Sequence, residues 1–229
     1  MMYGAIGRGL PPALRRWILH FEARIEDSAS AFAASLPSGS RVLDAGAGEL
    51  QYAHLFARHR YLAVDLGVGD AAWDYGKLHC VADLARLPLA SACCDAAINI
   101  VTLEHVREPA AVIAELSRVL RPGGRLLLVV PHEWEVHQAP HDYYRYTRYG
   151  TRYLLESAGL RVESLEPAGG FFRLLSRRLL NALQFFPGPL FLVAALVFAP
   201  PALLLPLLDG LDRDRNFTLG YICTAVKPS

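Results

Sequence analysis

Between the proline pair Pro11-Pro12 and the breaker Pro37-Ser38-Gly39, apolar residues recur at helical spacing: Leu14, Trp17, Ile18, Phe21, Ile25 and Phe32. That pattern predicts one or two helices over Ala13–Leu36. Beyond Gly39 it gives way to short continuous apolar runs, RVLDAG, YLAVDL, HCVADL, DAAINIV and RLLLVVP. A helix-compatible stretch follows the first run as far as Arg60. A helix from about Pro109 to Leu120 and the turn Arg121-Pro122-Gly123-Gly124 precede the fifth run. Apolar strands without alternation, separated by helical segments, are the pattern of a parallel sheet covered on both faces. The expectation is a doubly wound α/β fold. After it come a helix near Thr151–Ala158, a strand RVESLEP, a long apolar insert and a last strand TLGYICTAV. No internal repeat or low-complexity tract interrupts this order.

A chain of 229 residues can bury one substantial core, and dividing it would leave two small ones. The expected organisation is a single domain over 1–229, made of an N-terminal helical segment (1–38), a cofactor-binding core (39–170), an apolar helical insert (171–216) and a last strand (217–229). A formal net charge of +1 with 20% charged residues provides no basic field for nucleic acid, and none is expected as a partner. Cys80, Cys93, Cys94 and Cys223 form no CxxC pair, and adjacent cysteines are poor disulfide partners. Reduced thiols in a cytoplasmic protein are expected. The first residues show no continuous apolar core ahead of their charges, so no secretion signal is expected.

The strongest local signal is Val42-Leu43-Asp44-Ala45-Gly46-Ala47-Gly48, an apolar strand ending in an acid and a Gly-x-Gly turn. Glycines there let the backbone bend sharply and a ligand approach it, with the amides of a following helix facing the site. A second strand ends at Asp65, about twenty residues on, where a carboxylate can accept both hydrogens of a ribose diol. A dinucleotide fingerprint would need a third glycine where Gln51 stands. Asp44 would repel a pyrophosphate but suits an ammonium. S-adenosylmethionine carries that ammonium and no phosphate. The plainer alternative is an ordinary glycine-containing turn with Asp44 as a helix cap.

VLDAGAG, YLAVD, VADLARLP, DAAINIVTLEHV and RVLRPGGRLLLVVP, in this order over about residues 40 to 165, resemble the class I S-adenosylmethionine-dependent methyltransferases. The likeness is to the type 11 group that includes the quinone-biosynthesis enzymes. The resemblance implies S-adenosyl-L-methionine as cofactor. By it, Asp44, Ala45, Gly46 and Gly48 line the methionine end, Asp65 and Leu66 the ribose, Asp83 and Leu84 the adenine, and Asn99 and Ile100 lie near the methionine moiety. It also implies a seven-stranded, mostly parallel sheet with an antiparallel last strand, RVESLEP and TLGYICTAV taking the sixth and seventh places. Leu50 stands where the family often has a third glycine.

Methyl transfer from a sulfonium is an in-line displacement that mainly needs alignment and, for some acceptors, a base. The candidates for that role are His105, His132, His137, Asp142 and Tyr143. His105, after Glu104, is either a base or a structural hydrogen-bonding residue of its loop. The run Pro131-His132-Glu133-Trp134, then His137, Pro140, His141, Asp142, Tyr143, Tyr144, Arg145, Tyr146 and Thr147, lies where α/β enzymes keep substrate residues. A similar H-x-x-P-x-D-Y-x-R-Y-T run in a bacterial subgroup implies that Asp142 and Arg145 fix the loop. Alternatively, Asp142 and Thr147 only cap the next helix while the tyrosines pack. The histidines lack an uninterrupted i, i+4 pair with a carboxylate, and no metal is expected. Asp70, Trp73, Asp74 and Tyr75 form a polar-aromatic loop in which Trp73 either covers the adenosine or packs on the surface.

Asn181–Leu208 carries no charged residue, which qualifies it by length as a membrane span. Pro187, Pro189, Pro200, Pro201 and Pro206 are expected to divide it into pieces too short to cross. An interfacial or re-entrant hairpin is therefore expected, with Arg173, Arg177 and Arg178 meeting anionic head groups. A lid over the site or a homodimer interface is the alternative. Together these readings favour a methyltransferase acting on a small, hydrophobic or lipid-linked acceptor at the inner face of the cytoplasmic membrane. An NAD-dependent oxidoreductase and a non-catalytic membrane-associated ligand-binding module are the rivals.

Overall fold

The computed structural model describes residues 9–69 and 73–229, which fall into two compact units. The larger comprises Ile25–Glu166 with Gly220–Ser229, the smaller the residues up to Arg24 with Pro167–Leu219. Asp70, of the polar-aromatic loop, lies outside the described residues, as does the start of the N-terminal segment.

Two helices occupy the N-terminal periodic stretch, α1 (Pro12–Ile18) and α2 (His20–Ser35). Within the larger unit α2 buries Ile25, Ala29, Phe32 and Ala33, the three- and four-residue spacing of one helical face.

The larger unit is built on a sheet of seven strands: β1 (Arg41–Ala45), β2 (Arg60–Asp65), β3 (Cys80–Val81), β4 (Cys94–Ile100), β5 (Leu120–Pro131), β6 (Arg161–Pro167) and β7 (Gly220–Val226). Their order is β3-β2-β1-β4-β5-β7-β6. The first five pair in parallel, while β7 runs antiparallel to β5 from Arg125↔Val226 to Pro131↔Gly220. This is the expected mostly parallel sheet with an antiparallel last strand. Leu126 to Val130 are each at most 1% exposed, so β5 is buried on both faces and shows no alternation. Helices α3 (Pro109–Val119) and α4 (Arg148–Ser157) complete the unit. Strand order reverses at β1, with β2 on one side and β4 on the other, and the carboxyl ends of strands at such a reversal are where open α/β sheets bind ligands.

Two local expectations need correcting. No α-helix follows β1: the chain turns and makes only a 3₁₀ turn at Ala53–Phe56. Gly48 (φ +50°) and Leu50 (φ +61°) are both left-handed, which excludes them from a helix. Nor does Arg121-Pro122-Gly123-Gly124 precede a strand. It is an excursion within β5, because Leu120 pairs with Cys94 and the register resumes at Arg125↔Ala96.

In the smaller unit, α5 (Phe171–Ala182) and α6 (Pro189–Leu204) lead into a 3₁₀ segment, Leu205–Leu211. Buried Asp209 accepts the amides of Gly170 and Arg173, each at 3.1 Å, and pairs with Arg215. Pro200 and Pro201 lie inside α6 and do not divide the apolar run. The carbonyls that their missing N–H groups leave unbonded belong to Leu196 and Val197, 78% and 59% exposed, so the loss falls outside a buried interior. Among the described residues, Pro189–Leu211 is one helical stretch long and apolar enough to cross a membrane.

Candidate active site

The turn after β1 is shaped by what packs on it. Gly46 has φ +90°, and a Cβ there would meet the Thr102 side chain at 2.2–2.7 Å. Thr102 donates to the carbonyls of Gly46 (3.2 Å) and Ile100 (3.0 Å), tying the ends of β1 and β4 together. A Cβ on Gly48 would stand 3.0 Å from the ring of Trp73, so Trp73 lies on this turn. Leu50 takes the left-handed conformation that a glycine would adopt freely, and the turn keeps its shape at a cost of about 1 kcal/mol.

Acceptors, not donors, gather here. Asp44 is buried and receives the hydroxyl of Tyr61. Burial raises the Asp44 carboxyl to about 7 despite that bond, and the Asp65 charge adds to the rise. Asn99, fully buried, donates to the Ala45 carbonyl at 2.7 Å, and its own Oδ1 has no hydrogen-bond partner. Asp65 accepts the amides of Gly48 (3.0 Å) and Gly67 (2.8 Å) through different oxygens. Each oxygen keeps a second lone pair for a hydroxyl. Asp83 is exposed and caps a 3₁₀ turn by accepting from the Ala85 amide at 2.9 Å. Leu84 packs in the core, whereas Leu66 is exposed.

The second group of candidates lies after β4 and β5. Arg145 grips Asp142 with two nitrogens, at 2.6 and 2.8 Å, and also donates to the carbonyls of Trp134, Tyr144 and Glu135. This bidentate pair holds the Asp142 carboxyl down to about 2. Asp142 in turn receives the His137 amide at 2.9 Å. The two loops are joined where Tyr143 donates its amide to the Glu104 carbonyl at 2.9 Å and His105 Nδ1 meets the His141 carbonyl at 2.6 Å. His105 and His137 thereby come ring to ring, centroids 4.7 Å apart. His132 has other partners, the Tyr146 carbonyl at 2.9 Å and the Tyr221 ring. The Tyr143 hydroxyl accepts from Arg107 at 3.2 Å. Glu104 is fully buried with neither carboxylate oxygen hydrogen-bonded, and burial raises it to about 8.

Comparison with known proteins bears on this geometry. Residues 43–128, from β1 nearly to the end of β5, match a family described as a methyltransferase domain. The chain carries a class I S-adenosylmethionine-dependent methyltransferase domain. Over 106 residues it is 38% identical to a tRNA (carboxymethyluridine(34)-5-O)-methyltransferase of Arabidopsis thaliana, covering 44% of this chain and 26% of that protein. Over 107 residues it is 34% identical to a ubiquinone/menaquinone biosynthesis C-methyltransferase of Syntrophotalea carbinolica, covering 42% and 45%. The chain thus spans less than half the length of these relatives. A solved structure of Burkholderia thailandensis 1,6-didemethyltoxoflavin-N1-methyltransferase, with its substrate and S-adenosylhomocysteine bound, aligns at TM-score 0.56 and 20% identity. It covers 89% of this chain and 78% of that one, a likeness of fold.

The residues of this methyltransferase domain fit S-adenosylmethionine. An unpartnered buried carbonyl on Asn99 and the Asp44 carboxylate suit an ammonium and would repel a pyrophosphate, while Asp65 retains capacity for a diol. Sequence reasoning missed Tyr61 and Thr102 and passed over Glu104 in favour of its neighbour. Strand register could have found Tyr61: Asp44 pairs with Ala63, so Tyr61, two residues earlier, shares its face.

Proposed function

We propose that this chain transfers a methyl group from S-adenosylmethionine to a small acceptor of low water solubility, hydrophobic or lipid-linked, at a membrane surface. The reading of methyl transfer rests on the donor turn. Asp44 and Asn99 would receive the amino acid portion, Asp65 the ribose, and Asp83 with Leu84 the adenine, with Trp73 covering the turn. On the acceptor side, His105, His137, Asp142 and Tyr143 would align the nucleophile and His105 would take its proton. Burial lowers the basicity of His105, so it is neutral and able to accept.

The apolar acceptor is supported by Pro189–Leu211, of mean hydropathy 2.4 and only 17% buried. Leu192 and Leu196 are 66% and 78% exposed. So much exposed aliphatic surface calls for lipid or a large apolar partner. A single crossing is excluded by connectivity, since β6 before it and β7 after it belong to one sheet. An orientation in the plane of the interface, on the cytoplasmic side, satisfies both facts.

Incubating the protein with labelled donor and a membrane lipid extract tests this reading. Label is expected in a lipid-extractable product. Label confined to water-soluble products would overturn the acceptor class, and none in any product would overturn the activity.

A further inference from the structure

The loop after β4 and the loop after β5 bring one carboxyl group and two imidazoles to a single point. Glu104 Oε1 lies 3.7 Å from His105 Nε2 and 3.8 Å from His137 Nε2. One ligating atom from each of these three residues falls within 4.8 Å of the others. We propose that Glu104, His105 and His137 bind a divalent transition-metal ion, with zinc the natural probe. The proposal goes beyond the reading of methyl transfer: an ion on His105 Nε2 would occupy the lone pair assigned there to proton transfer and would itself activate the acceptor, and its binding is measured without reference to activity.

Three observations carry it. The first is that every converging atom is an acceptor. His105 Nδ1 faces the His141 carbonyl at 2.6 Å, and His137 Nδ1 faces the Glu135 carbonyl at 3.1 Å and Asp142 at 3.5 Å. Only a ring nitrogen carrying hydrogen can bond to such partners, so each Nδ1 is protonated and, in the neutral ring, each Nε2 presents a lone pair. A carboxylate and two lone pairs then face one point. With Glu104 ionised, a cation can be held by all three at once.

The second observation is burial without partners. Both Glu104 oxygens and His105 Nε2 are buried with no hydrogen-bond partner. Leaving such groups unsatisfied is costly. The Arg145 guanidinium is taken up by Asp142 and does not bond to the Glu104 oxygens.

The third is the supporting layer. Metal-bound histidines characteristically pass their other ring hydrogen to a carbonyl or carboxylate, fixing tautomer and orientation. Both histidines do so here, and Asp142 is itself clamped by Arg145. Two histidines and one carboxylate, with a position left open, are a familiar donor set for zinc and for ferrous iron. The two Glu104 separations, 3.7 and 3.8 Å, need contract by only a few tenths to reach the roughly 3.4 Å edge of a tetrahedron around zinc, and the histidine pair closes to that edge from within 4.8 Å. Imidazole ligands disfavour magnesium and calcium. The open position would receive a hydroxyl or amine, consistent with a nucleophilic acceptor.

The test is calorimetric titration of Zn²⁺ into the untagged, chelator-treated full chain, with circular dichroism to check folding. One equivalent is expected to bind, and His137→Ala, at a half-buried position, is expected to weaken binding at least about 100-fold without loss of fold. Magnesium at millimolar concentration should not compete. Glu104→Gln should also lose binding, and His137→Ala decides the matter if that variant fails to fold. Absence of stoichiometric binding by the wild-type chain, or equal binding by His137→Ala, would overturn the proposal.

Discussion

The Asp65 carboxylate accepts the Gly48 amide at 3.0 Å, locking the turn after β1 to the end of β2. The residue proposed to hold the ribose is thus also the one that holds the turn in place. Asp65→Ala removes both functions. S-adenosylhomocysteine affinity should fall by about 1–3 kcal/mol, or about 5- to 150-fold, by calorimetry. An unchanged affinity would show that the nucleoside sits elsewhere.

Gly46→Ala places a methyl group against Thr102 in a backbone region that L-residues avoid. Donor binding should weaken and the melting temperature should drop. Adding Thr102→Gly should relieve the clash but not the φ strain, giving partial recovery. Full recovery would mean that the backbone there is not left-handed.

Asp44 supplies a pH signature. Its folded value of about 7 stands above the ordinary 3.8, so the fold favours the protonated form. That contribution is fully present below about pH 4 and is lost as pH rises to 7. The wild type should therefore lose stability relative to Asp44→Asn between about pH 4 and 7 in urea titrations. Pairing with the donor ammonium needs the ionised form. S-adenosylhomocysteine affinity should thus weaken by about fivefold from pH 7 to 6, and Asp44→Asn should flatten that profile. Tyr61→Phe, which removes the bond that lowers Asp44, should move the profile to higher pH.

The apolar stretch makes a separate prediction. The chain should float with vesicles containing anionic lipid, and Leu192→Arg with Leu196→Arg should leave it in the soluble fraction. A wild-type chain that stays with the soluble fraction would contradict the proposed membrane surface.

Much of the larger unit could be read from sequence because its strands are continuous apolar runs. RVESLEP is β6 residue for residue, and β4 and the helix Pro109–Val119 fall within a residue of their expected bounds. What escaped depends on backbone conformation or on burial. Leu50 in a left-handed turn removes a helix that composition allowed. Two prolines within α6 left that helix unbroken. On the acceptor side the histidines were visible but their grouping was not. His137 joins His105 rather than His132 or His141, since loops distant in sequence meet through the Tyr143 amide and the Glu104 carbonyl. Nothing in a Glu-His dipeptide announces that the glutamate will be wholly buried.

The most direct measurement is a crystal structure of the chain with S-adenosylhomocysteine bound. The ribose hydroxyls should lie within hydrogen-bonding distance of the Asp65 carboxylate, with the amino group beside Asp44 and Asn99. A nucleoside bound away from the carboxyl ends of β1 and β2, or a crevice that stays closed to it at saturating concentration, would contradict the account.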